Sequence, residues 1–203
     1  MPKKIILIRH AETEHTLKGI IQGWLDVPLN KAGLKQAEKL AHRLKDEAVD
    51  VIYSSDLKRA YQTAKPLAKI KQLKPIRTKK IREWHMGTWT GKTWKVINKE
   101  YSHVFDEVGN IKDLTWKGHQ GESINELIKR LKSFLNHLFK KHRNQTVVIF
   151  THAGTKRRIL DLLKVLPMKE GRRFENTAVT ILKKIGKGKY AIQLLGDISH
   201  LEE

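Results

Sequence analysis

Two histidines and two arginines stand where short apolar runs break off into polar turns. Residues 4–8 end at Arg9-His10, residues 147–150 run into Thr151-His152-Ala153-Gly154, and residues 49–53 close on Ser54-Ser55-Asp56 with Arg59 just beyond. A neutral imidazole can attack phosphorus in line, so that a phosphohistidine splits one hard displacement into two easier ones. The transition state spreads charge over the equatorial oxygens and needs surrounding cations more than covalent help. Arginine suits that need, because its planar fork pairs with phosphate oxygens and stays charged at any working pH. A second, protonated histidine would add to the cradle. A leaving alkoxide would take its proton from a carboxylic acid of elevated pKa. Singly, each residue has a duller reading, as a satisfied histidine or a solvated charge; only juxtaposition would make a site.

The pattern of elements predicts that juxtaposition. Buried strands are expected at 4–8, 49–53 and 147–150, with a short one at 75–78. Leu34, Ala37, Leu40, Ala41 and Leu44 mark a helix over 31–46. Ser54-Ser55-Asp56 offers N-cap chemistry for a helix to about 73, and Ser123-x-x-Glu126 has the spacing of a capping box. That box opens a long helix lined by Ile124, Leu127, Ile128, Leu131, Leu135 and Leu138, and a further helix follows Thr151-His152-Ala153-Gly154 to about 165. Runs at 178–183 and 190–195 flank Gly186-Lys187-Gly188 as a hairpin. Alternating strands and helices imply a mostly parallel sheet covered on both faces, with ligands beyond the carboxyl ends of its strands. Between 84 and 121 the periodicity fails, and four of the five tryptophans gather in an excursion from the core.

Composition narrows the class. With 203 residues, 39% of them hydrophobic, one α/β domain with a modest insertion is expected. No apolar run is long enough for a membrane span, and no cysteine is present to act as nucleophile or thiolate ligand. The expected compartment is the cytoplasm. A net charge of +20 should concentrate anions, which suits nucleic acid, a phosphorylated small substrate or a generally basic host equally. Lys156-Arg157-Arg158 is read as a solvated helix start, and Lys140-Lys141-His142-Arg143 as a basic helix end complementing the dipole.

The same residues carry a resemblance. Arg9-His10-Ala11-Glu12-Thr13 is similar to the RHG-x-T signature of the histidine phosphatase superfamily, which includes the cofactor-dependent phosphoglycerate mutases. The likeness extends through Gln22-Gly23-Trp24-Leu25-Asp26-Val27-Pro28-Leu29-Asn30, Tyr53 to Ala64, Arg82-Glu83 with Gly87-Thr88-Trp89-Thr90-Gly91, Thr151 to Gly154, and Asn176-Thr177. It implies a three-layer α/β/α sandwich of the phosphoglycerate mutase-like kind, one domain over 1–203, with 84–121 as a small lid. His10 would accept the phosphoryl group, with Arg9, Arg59 and His152 around it. Glu83 would protonate the leaving oxygen and then activate water. Thr16, Gln22, Gly23, Ala153 and Asn176 would complete the contacts to phosphate or substrate. Ala11 replaces the usual glycine, Ala153 another small residue, and Thr16 stands where many members have asparagine.

The implied enzyme is a phosphomonoesterase that needs no metal or cofactor and takes a small phosphorylated substrate. Glu83-Trp84-His85-Met86-Gly87 is closer to the phosphatase pattern than to the ERHYG-like segment of the mutases, which leaves the mutase as the alternative. His85, His103 and His119 lack the spacing of a metal site. A non-catalytic nucleic-acid-binding protein on the same fold is the rival from another class. No nucleic-acid-binding signature and no interleaving of aromatic with basic residues favours it, and oligomeric state leaves no mark on the sequence.

Overall fold

The computed structural model describes residues 1–170 and 173–202. Its elements in chain order are β1 (Lys4–Arg9), α1 (Glu14–Leu17), α2 (Lys31–Arg43), β2 (Val51–Ser55), α3 (Lys58–Ile70), β3 (Ile76–Thr78), α4 (Trp94–Glu100), α5 (Ile124–Lys141), β4 (Thr146–Thr151), α6 (Ala153–Leu162), β5 (Val179–Gly186) and β6 (Lys189–Asp197). The strands form one sheet in the order β3-β2-β4-β1-β5-β6. The first four are mutually parallel, β5 is antiparallel to β1, and β6 is antiparallel to β5, so β5 alone runs against the rest.

Strand alternation divides the core into two layers. Ile5, Leu7, Val147 and Ile149 face Leu127, Leu131 and Leu135 of α5 and Ile159 and Leu160 of α6. Ile6, Ile8, Val148 and Phe150 face Leu40 of α2 together with Ala64 and Leu67 of α3. The central strands are apolar on both sides because both sides are covered. The result is the three-layer α/β/α sandwich that the order of elements predicts.

Several local expectations need correction. α3 is not capped by Ser54-Ser55-Asp56: its N-cap is Leu57, and the Lys58 amide donates to Asp26 Oδ1 at 2.6 Å across the fold. Asp56 is taken instead by the Arg82 fork, at 2.7 and 2.6 Å. α3 and α6 stop short of 73 and 165 because Gln72 and Lys164 adopt left-handed backbone just beyond them, with φ of 54° and 57°. Nor is Lys156-Arg157-Arg158 a solvated run. Lys156 is fully buried, donating to the Ala178 carbonyl at 2.6 Å with its ammonium 4.3 Å from the Phe174 ring centre, and Arg158 pairs with Asp161. The capping box at Ser123 and Glu126 forms as its spacing predicts.

The 84–121 stretch folds onto the sandwich rather than apart from it. Trp89 is fully buried, in ring contact with Trp84, Trp94, Tyr101, Phe105, Trp116 and His119. Trp84, Trp89, Ile97, Val104 and Ile111 belong to the same apolar cluster as α5, so the excursion extends the main core.

Candidate active site

Strand register brings the two histidines together. β1 and β4 are paired with Arg9 opposite Thr151, and the His10 amide donates to the Thr151 carbonyl at 2.9 Å. The residues that follow each strand, His10 and His152, therefore leave the sheet side by side. Their ring centres lie 5.2 Å apart at an interplanar angle of 61°. β2 flanks β4 on its other side, and the first turn of α3 delivers Arg59 to the same edge.

Hydrogen bonds assign the tautomers. His10 Nδ1 lies 2.7 Å from the Ala11 carbonyl, so it carries the proton and leaves the lone pair on Nε2. Arg59 Nε donates to His152 Nδ1 at 3.2 Å, which puts the His152 proton on Nε2. That Nε2, and Nε of Arg9, are buried without a hydrogen-bond partner among the described residues. Burial, then Arg59, then Arg9 hold the His10 pKa well below the ordinary imidazole value. Burial and Arg59 do the same to His152, with His10, Arg130 and Arg9 adding to the effect. The protonated second histidine expected from the sequence is thus a neutral Nε2–H donor in the free protein. Burial also lowers Arg59, to about 10, and lowers Arg9, while the Glu83 charge supports both cations.

The backbone fixes this cluster. Arg59 donates to the carbonyls of Leu25 and Gly23 at 2.7 and 2.8 Å, and Arg9 to that of Phe174 at 2.6 Å. Gly23 takes φ of 48°, and a Cβ there would meet Met86 and Thr90 at 3.1 Å, so glycine lets the carbonyl face the guanidinium. Thr63 accepts from the Ala11 amide at 2.9 Å and donates to the Arg59 carbonyl at 2.7 Å, linking two of the three site-bearing segments. Asn176 donates to the His10 carbonyl at 2.9 Å. Ala11 is not among the residues in left-handed backbone, so the departure from glycine there is tolerated.

Glu83 occupies the amino end of α6. Its Oε2 accepts from the Gly154 amide at 3.0 Å, and its Oε1 from the amides of Thr155 and Trp84 at 3.0 Å each and from the Thr155 hydroxyl at 3.2 Å. The first amides of α6 are therefore held by a carboxylate, and Ala153 is the helical residue ahead of them. Gln22 is buried, its Oε1 3.3 Å from the Thr13 hydroxyl. Thr16 is committed to the capping box of α1, where its hydroxyl accepts from the Thr13 amide at 2.8 Å. Thr63 and Thr155 are site residues that sequence reasoning missed. Thr63 stands one turn after Arg59 and Thr155 three residues after His152, which is the signal that could have found them. His119 lies in the tryptophan cluster, and no group of metal-binding side chains forms among the described residues.

Known proteins share this arrangement's frame. The profile of the histidine phosphatase superfamily (branch 1) matches residues 5–198. Phosphoglycerate mutase-like protein 4 of Arabidopsis thaliana is 34% identical over 98% of this chain and 87% of its own length. Phosphoserine phosphatase 1 of Hydrogenobacter thermophilus is 41% identical over 73% of this chain and 70% of its own. Among solved structures, phosphoserine phosphatase of Entamoeba histolytica in complex with 3-phosphoglyceric acid aligns with a TM-score of 0.81 at 30% identity, over 99% of this chain and all of that one. With paired imidazoles set between buried guanidinium groups and a profile spanning nearly its whole length, the chain belongs to the histidine phosphatase superfamily.

Proposed function

We propose that this protein hydrolyses phosphomonoesters through a phosphohistidine on His10. The observation that carries the reading is the locked tautomer of His10, with Nδ1–H on the Ala11 carbonyl and a free lone pair on Nε2, beside His152 and the buried Arg59. In the first half-reaction Nε2 attacks phosphorus as the P–O bond to the leaving group breaks, and Glu83 supplies the proton that the departing oxygen takes up. In the second, Glu83 takes a proton from water as the water oxygen bonds to phosphorus, the N–P bond breaks and inorganic phosphate departs. Arg9, Arg59 and the Nε2–H of His152 face the charge that develops on the equatorial oxygens. Gln22, Gly23, the Ala153 amide and Asn176 shape the edge of the cradle, and Thr16 acts through its cap on the loop after β1.

The 84–121 segment forms the wall over the carboxyl edge of the sheet and selects the substrate. Relatives named as phosphoserine phosphatases make phosphoserine the first substrate to assay, within a class of small phosphorylated metabolites. Among the described residues no helix is long and apolar enough to cross a membrane, and a cytoplasmic location fits the cysteine-free chain.

The test is release of inorganic phosphate from phosphoserine and from p-nitrophenyl phosphate, with rapid quenching in alkali to trap the phosphoenzyme. His10→Ala is expected to lose both turnover and label at unchanged fold. Retained hydrolysis in that variant overturns the mechanism. Isomerisation of a phosphoglycerate primed by a bisphosphate, without net phosphate release, would make the protein a mutase.

A further inference from the structure

Arg130, on the face of α5 toward residues 80–83, is tied to none of the groups that would touch phosphate, yet all five of its N–H groups are used. Its Nε and Nη2 grip both oxygens of Glu122, at 2.6 and 2.9 Å. Its Nη1 donates to the carbonyls of Lys80 and Arg82 at 2.9 Å each, and Nη2 also donates to the carbonyl of Glu83 at 2.9 Å. One side chain thus captures three carbonyls in a four-residue stretch that ends on the proposed proton donor. The pair is shielded, with the two side chains 16% and 11% exposed.

Glu122 fixes the far side of the same segment. Its amide donates to the His85 carbonyl at 2.9 Å, its Oε2 lies 3.4 Å from the His85 amide, and its carbonyl accepts from Trp84 Nε1. Trp24 Nε1 adds a second donor to the Glu83 carbonyl at 2.7 Å. Residues 79–81 form one short 3-10 turn, and from Arg82 to His85 the chain passes from β3 into the excursion outside any helix or strand. The Thr151 and Thr155 hydroxyls also hold this segment, donating to the Ile81 and Arg82 carbonyls at 2.8 and 2.7 Å, but the Arg130 fork is the contact that grips three of its carbonyls at once, the Glu83 carbonyl among them.

We infer that Arg130, clamped by Glu122, is a positioning residue that sets the place of the Glu83 carboxyl relative to the leaving oxygen. The inference rests on the reading of Glu83 as proton donor. Lysine cannot replace arginine here, because an ammonium has three donors in a different geometry and cannot span Glu122 and three carbonyls.

The experiment compares kcat/KM for two leaving groups. This parameter covers only the steps through release of the alcohol, so the shared hydrolysis of phosphohistidine does not enter it. Serine is a poor leaving group that needs a proton, whereas p-nitrophenolate leaves without one. Glu83→Gln is expected to lower kcat/KM for phosphoserine by about 100-fold or more and for p-nitrophenyl phosphate far less. Arg130→Lys and Glu122→Gln are expected to repeat that bias at smaller size, roughly 10- to 100-fold on phosphoserine and about 3-fold on the aryl ester. If Glu83→Gln lowers both substrates alike, the proton-donor reading fails. If Glu83→Gln discriminates but the Arg130 and Glu122 variants fall equally on both substrates or on neither, the positioning role is overturned. Circular dichroism accompanies each variant, and should Arg130→Lys not fold, Glu122→Gln carries the comparison.

Discussion

The two imidazoles are linked to stability as well as to chemistry. Both have folded pKa values well below the ordinary histidine value of about 6.5, and burial is the main cause in each. In the unfolded chain each takes up a proton near that value, so between the folded and unfolded pKa the unfolded state binds more protons. Their contribution to stability is therefore complete above about pH 6.5 and is lost as pH falls toward the folded pKa, by at most about 1.4 kcal/mol per pH unit for each ring. Urea unfolding between pH 7.5 and 5 should show stability falling with acid, and His10→Ala should flatten that slope. An unchanged slope in the variant would mean that the His10 imidazole is not held neutral by its surroundings.

At the scale of elements, the start of α6 decides where Glu83 rests. Gly154 has no Cβ, and a Cβ built there would lie 2.8 Å from Glu83 Oε1. Gly154→Ala should therefore push the carboxylate off the helix amides. Activity on alkyl phosphates is expected to fall about 10-fold or more. Gly154 stands in the first turn of α6 rather than its interior, so thermal stability should change far less than activity. Steady-state kinetics and a thermal melt on one preparation separate the two effects, and equal activity in the variant would show that the glycine has no such role. Arg59 shows how an element can be placed by a distant residue. The amide of its neighbour Lys58 is capped by Asp26 from the loop after α1, so the guanidinium and the helix that bears it are fixed by different parts of the chain.

Across the whole molecule, the excursion and the sandwich share one core. Trp89 is fully buried in a cluster that continues into α5 and the sheet, so removing it should affect the entire fold. Trp89→Ala is expected to cost about 3–5 kcal/mol in urea unfolding, in a single transition. Two resolved transitions, with the sandwich as stable as before, would mean that residues 84–121 unfold as a separate unit. The +20 charge belongs to the same scale, as a field that draws anionic substrates toward the molecule without choosing among them.

Much of this was legible in the residues alone. Apolar runs ending on Arg9-His10 and Thr151-His152 fixed the strands, their polarity and the edge at which chemistry could occur, because strand ends are set by local hydrophobicity and by the residues that interrupt it. Spacing also located the Ser123 capping box and the α5 stripe, both of which depend on contacts within a turn or two of helix. What followed from tertiary structure alone was set by partners far apart in sequence. The neutrality of His152 depends on burial beside Arg59, the cap of α3 on Asp26, the interior place of Lys156 on Ala178 and Phe174, and the position of Glu83 on Arg130 and α6. Desolvation and long-range hydrogen bonds exist only once the chain has closed on itself, and no local pattern of residue types encodes them.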